Sequence, residues 1–208
     1  MNKGYQNLTD VFNLSMEEER AQGLTWYNDA AAHCFNLSLK YDMPLEKVIG
    51  IIAALSPRCP WNRNVIETDS LIQTRGRSKV TTYLSNKKKA LAILRGTHPL
   101  NILNGHKVKT FYDNLSDPIN SQSVCIDSHI IACWFNKTDL SKAFLNAIFH
   151  PRGSKRIVIE QIKKAIIDLS ILYHFKPLQV QAIIWIVWKR ITRNKPYSGN
   201  VNYQSLLI

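Results

Sequence analysis

The apolar positions of the chain recur at intervals of three and four for most of its length, which predicts helix after helix and no strand. Trp26, Ala30, Cys34, Leu37 and Tyr41 mark one apolar face between Leu24 and Tyr41, and Met43-Pro44-Leu45 opens a second helix through Val48, Ile51, Ile52 and Leu55. Two prolines in Ser56-Pro57-Arg58-Cys59-Pro60-Trp61-Asn62-Arg63-Asn64 break that helix, and the next runs from Asn64 to Gln73. A basic loop from Thr74 leads to a helix ending at Gly96. Further on, Ile130, Ile131, Trp134 and Phe135 pack one helix, and Leu140 to Leu145 start another that stops near Pro151-Arg152-Gly153. Ile159, Ile162, Ile166, Leu169 and Tyr173 stripe a helix from Arg156 to Phe175, and Pro177 opens a last one that reaches Lys189-Arg190. No internal repeat or low-complexity tract interrupts this order, so the expected fold class is all-α. Residues 1–20 read as a polar N-terminal arm, 21–195 as the helical domain and 196–208 as a polar tail.

One stretch, Leu103 to Ile130, holds more than scaffold. A short helix from Pro99 stops at Asn104-Gly105, a turn signal, and helical spacing resumes with Val108, Phe111, Tyr112 and Leu115. A helix that starts after a glycine turn presents backbone N–H groups and a positive dipole end, which suits a phosphate. Lys109 falls in the first turn, where the dipole disfavours an ammonium and favours a nucleophilic amine. Asp127 then begins the helix that follows. Each residue also has a plainer role open to it: Asp127 as an N-cap, Lys109 as a surface lysine.

Charge sharpens this picture. Lys and Arg number 27 against 15 Asp and Glu, a net charge of +12 and a pI near 9.6, which favours a polyanionic partner. Residues 1–50 hold 4 basic and 7 acidic side chains, so the excess lies beyond them, where the glycine turn is. Arg75, Arg77, Lys79 and Lys87 to Lys89 are candidates for a phosphate footprint. In the Ser56 to Asn64 segment, Trp61 is suited to stack on a base, and Arg58, Arg63 and Asn64 to bind phosphate or a base edge. The alternative is that Trp61 fills the core and the arginines cap helix ends. Cys34, Cys59, Cys125 and Cys133 show no metal-ligand spacing and read as buried free thiols of a reducing compartment. No signal-peptide pattern and no apolar run of spanning length are present, so a soluble cytoplasmic protein without membrane contact is expected.

Leu103-Asn104-Gly105-His106-Lys107-Val108-Lys109-Thr110, followed by Val124-Cys125-Ile126-Asp127-Ser128-His129-Ile130, resembles the helix-hairpin-helix DNA glycosylases, the endonuclease III branch in particular. There a hairpin of type L-P-G-x-G-x-K-T carries a Schiff-base lysine, and a V-D-T-H-like segment carries the catalytic aspartate 18 residues on, the interval from Lys109 to Asp127. The resemblance spans roughly residues 24–192 as a helix order. It implies a two-lobed helical fold acting on double-stranded DNA with a flipped base; a monomer is expected, and the Asn-, Lys- and Ile-rich composition points to an AT-rich genome and so to a bacterial or phage-infected cell. Lys109 and Asp127 are the implied catalytic pair, with Gly105, His106, Lys107, Thr110, Arg58, Trp61, Arg63 and Asn64 at the DNA. The iron–sulfur loop of many endonuclease III relatives needs four cysteines, and none follows Cys133, so neither cluster nor other cofactor or metal is expected.

Two departures from the family hairpin stand out, Lys107 at the second glycine and Asn104 at the proline, and the first of them keeps other functions open. One alternative is a base-modifying transferase, since some phage enzymes of thymine hypermodification are similar to this fold and substitute at a base side-chain carbon. The other is a non-catalytic hairpin module that binds DNA by its backbone.

Overall fold

The computed structural model describes residues 2–149 and 156–193, and among them every regular element is a helix. They are α1 (Lys3–Asn13), α2 (Glu17–Tyr41), α3 (Leu45–Leu55), α4 (Trp61–Gln73), α5 (Leu84–Leu94) and α6 (Pro99–Ile102), then α7 (His106–Ser116), α8 (Ser128–Phe135), α9 (Lys142–Phe149), α10 (Arg156–Tyr173) and α11 (Pro177–Arg193). The helical periodicity is therefore realised as an all-α fold over the described residues. The expected stop at Pro151-Arg152-Gly153 and the tail 196–208 lie outside the described residues. No helix among the described residues is long and apolar enough to cross a membrane.

The chain divides into two compact units, Met1–Trp26 with Ile126–Ile208, and Tyr27–Cys125. We call them the terminal and the central unit. The long α2 contributes to both, with Trp26 the last residue of its terminal-unit share and Tyr27 the first of the rest.

In the central unit α3 is the hub. It is apolar almost all round, with every residue from Val48 to Leu55 buried, and it packs against α4, α5, α6 and α7. Its C-terminus at Ser56 and the N-terminus of α7 are thereby brought to one end of the unit, where Lys107 Nζ donates to the Ser56 carbonyl at 3.4 Å.

In the terminal unit α8 packs on α1 and α11, and α10 on α1, α9 and α11. The first twenty residues, expected as an arm, are part of this packing. Leu8 and Phe12 of α1 are fully buried, because their apolar face is completed by α8, α10 and α11. Glu17, Glu18 and Glu19 lie in the first turn of α2, where the dipole favours acids. Glu19 accepts from the Met16 N–H at 3.0 Å and takes a two-pronged contact from Arg190 of α11, Nε to Oε1 at 2.7 Å and Nη2 to Oε2 at 3.1 Å. Between these helices Gly23 allows a close approach, since a Cβ there would lie 2.3 Å from Ile183 Cγ1 and 2.9 Å from the Ile183 nitrogen.

Candidate functional site

The central unit carries the hairpin half of the expected site. Gly105 is the N-cap of α7, at φ +83° and ψ 141°, a backbone conformation that L side chains rarely adopt. This lets α7 start at His106, two residues earlier than the apolar spacing suggested. No side chain caps α7, so its first-turn amides keep their outward dipole. Lys109 is exposed; its backbone N–H donates to the Gly105 carbonyl at 3.1 Å, and its ammonium has no hydrogen-bond or ion-pair partner among the described residues. Its neighbours are engaged differently. Thr110, expected at DNA, turns its hydroxyl back onto its own helix and donates to the His106 carbonyl at 2.9 Å. Lys107, in place of a hairpin glycine, reaches the Ser56 carbonyl, and its own carbonyl accepts from the Cys125 thiol at 3.6 Å. Asn104 in the turn accepts from Lys89 of α5, which brings that lysine of the basic stretch beside the hairpin.

The Ser56 to Asn64 segment is shorter as a loop than expected. Pro60 occupies the N-cap position of α4 and Trp61 its first turn, so Trp61, Arg63 and Asn64 are helical. Asn64 is 1% exposed and donates Nδ2 to the Ile52 carbonyl of α3 at 2.9 Å. It is a core residue and cannot reach a base edge, because the turn of helix after Pro60 points it inward. Trp61 is half-buried and meets Phe111 of α7 edge-on, centroids 6.3 Å apart at 85°. Arg63 donates Nε to Glu67 at 2.8 Å. Glu67 in turn accepts from the amide and hydroxyl of Thr81 and from the Cys59 thiol. Burial pushes its carboxyl up, but Thr81 and Arg63 outweigh that and hold it below the ordinary range. Burial and Glu67 push the Cys59 thiol up to about 11. Arg58 stays exposed at φ +59°, its guanidinium 5.4 Å over the Tyr83 ring and Nη1 at 3.3 Å from the Tyr83 hydroxyl.

The terminal unit carries the carboxylate. Asp127 is the N-cap of α8, and its Oδ1 accepts from the N–H of His129 at 2.9 Å and of Ile130 at 3.0 Å. Its Oδ2 accepts from the indole Nε1–H of Trp185 on α11 at 3.1 Å. The residue as a whole is half-exposed. Asp127 thus caps α8 through Oδ1 while Oδ2 is held by α11.

A family model, that of DUF7178, a family of unknown function, matches residues 1–192. The chain belongs to this family. No curated protein and no solved structure matches the chain.

In this DUF7178 chain the residue of the site that the apolar pattern of the last helix does not single out is Trp185. The available signal was chemical: an indole on a mostly buried helix needs a partner for its N–H, and a carboxylate at a helix start is a natural one. Nothing along the chain paired residues 58 positions apart.

Proposed function

We propose that this protein is a DNA glycosylase of two-lobed helix-hairpin-helix type, with lyase activity, acting as a monomer on duplex DNA in the cytoplasm. What carries the reading is that the two side chains the chemistry needs are not spent within their own units. The Lys109 ammonium has no partner among the described residues, and Asp127 is half-exposed. Departure of a base breaks the C1′–N bond and leaves positive charge on the sugar while the bonding pair leaves with the base. The Asp127 carboxylate would stabilise that charge. The Lys109 amine, once neutral, would attack C1′ and form a Schiff base that permits strand cleavage. The uncapped start of α7 and the basic side chains Lys89 and Arg58 suit the phosphates of the flanking strand, and extrusion of the base costs a few kcal/mol.

The test is incubation with duplex oligonucleotides bearing damaged or modified bases, with borohydride trapping and mass spectrometry of released bases. A trapped adduct that disappears in Lys109→Ala, with base release lost in Asp127→Asn while DNA binding persists, is the expected result. Free base without an adduct removes the lyase activity and leaves Lys109 a phosphate contact. Neither product, with binding intact, rejects the glycosylase.

One observation favours a second reading. Lys107 spends its ammonium on the carbonyl of Ser56, which joins the hairpin to the segment bearing Arg58. That basic surface suits a pyrophosphate leaving group, as in a transferase that substitutes at a base side-chain carbon. A change in base mass within intact DNA, with no base released, selects it.

A further inference from the structure

A carboxylate has about four lone-pair positions on its two oxygens. In Asp127 the backbone N–H groups of His129 and Ile130 fill both positions of Oδ1, and the Trp185 indole fills one of Oδ2. No further donor among the described residues reaches the last position. An N-cap needs only the first oxygen, so the indole bond does something the cap does not require. It stops rotation of the carboxyl group and fixes the direction of the one remaining lone pair.

Trp185 is itself held from several sides of the terminal unit. Lys189 Nζ stands 3.8 Å from the centroid of its ring, Trp26 meets it at 6.1 Å and 61°, and His129 at 6.2 Å and 86°. The lysine covers a ring face that a stacked base would need, so the indole is engaged through its N–H instead of through that face. A cation over the ring also withdraws electron density from it, which makes the N–H a stronger donor.

The geometry points to Trp185 as a positioning residue that leaves Asp127 a single open lone pair and aims it at the reacting sugar. The identity of the reaction rests on the glycosylase reading; the contact does not. Asp127→Asn separates the parts. To keep capping α8 the amide must turn its oxygen to His129 and Ile130, which sets its NH2 against the Trp185 N–H, donor to donor.

The experiment combines nitrogen-15 NMR of the five indole N–H groups with single-turnover base release. The Trp185 signal is assigned by its loss in Trp185→Phe. In Asp127→Asn it is expected to move upfield and lose protection from exchange. Trp185→Phe is expected to slow base release roughly 10- to 100-fold with DNA affinity unchanged, and Trp185→His, which restores a ring donor, to recover part of the rate. Where the Phe substitution unfolds the protein, β-(3-benzothienyl)alanine at position 185, isosteric and lacking only the N–H, replaces it. An unmoved indole signal in Asp127→Asn overturns the contact. A moved signal with undiminished base release in Trp185→Phe overturns the positioning role. A moved signal in a protein that releases no base rejects the glycosylase and the aiming role together, and leaves the indole bond as part of the α8 cap.

Discussion

Glu67 sits almost enclosed between α4 and the loop before α5, and its environment makes a prediction about acid stability. An unfolded glutamate titrates near about 4.3. Because the folded carboxyl is held lower, its stabilisation is complete above that value and is lost as pH falls through the folded one. Glu67→Gln is therefore expected to cost about 2–3 kcal/mol at neutral pH, the worth of hydrogen bonds to a charged group, and the difference from wild type should shrink on acidification. Urea midpoints of both proteins at pH 7 and pH 3 check this; a gap that stays constant would show that the charge is not what matters. Residues of this kind mark the limit of what the chain discloses by itself. Arg63 and Asn64 carry the right chemistry for DNA and stand in a proline-bounded segment, so their types and neighbourhood pointed outward. What the residue types do not disclose is the phase of α4, fixed by Pro60, which buries Asn64 against the Ile52 carbonyl and sets Arg63, still exposed, beside Glu67. The glycine turn before α7 and the capping place of Asp127 were legible because the turn signal and the residue types are properties of sequence alone.

Elements were legible where the apolar stripe is long, as in α3, α10 and α11, and less so where a helix is short or starts in polar sequence. The α1 stripe is only Leu8, Val11 and Phe12, and its burial depends on partners more than a hundred residues away, which no local pattern encodes. The approach of α2 to α11 is another such fact, and it bears on the site because Gly23 lies against Ile183, two residues before Trp185. A methyl group at position 23 would meet the Ile183 backbone nitrogen as well as its side chain, and backbone cannot step aside as a side-chain tip can. Gly23→Ala is expected to push α11 away, at a cost of about 1–3 kcal/mol typical of overpacking, and to lengthen the Trp185 to Asp127 bond. Thermal unfolding reads the first effect and the Trp185 indole resonance the second. A variant of unchanged stability and spectrum would show that the two helices have room the structure does not give them.

For the molecule as a whole the governing quantity is charge. A net +12, with the excess beyond residue 50, means that the association with duplex DNA proposed above would be governed by counterion release. Each phosphate neutralised contributes a slope of roughly −0.9 to log K against log salt, so a footprint of 6–10 contacts weakens binding roughly 10³- to 10⁵-fold between 50 and 200 mM salt. The slope also separates the two roles open to Lys109. A lysine that holds a phosphate takes about one contact with it, and Lys109→Ala should then lower the slope by about 1. An amine that waits for C1′ contributes little to ground-state binding, so Lys109→Ala should leave the slope nearly unchanged while abolishing the borohydride-trapped adduct. Lys89→Ala serves as the comparison, since Lys89 is held beside the hairpin by Asn104 and is expected to act through its charge alone. Fluorescence anisotropy titrations across a salt series decide between the two. A drop in slope for Lys89→Ala but not for Lys109→Ala, with adduct formation lost only in the latter, is the expected pattern, because Lys109 alone of the pair has its ammonium unengaged. Equal drops without loss of the adduct would move the nucleophile elsewhere and return Lys109 to the phosphate footprint.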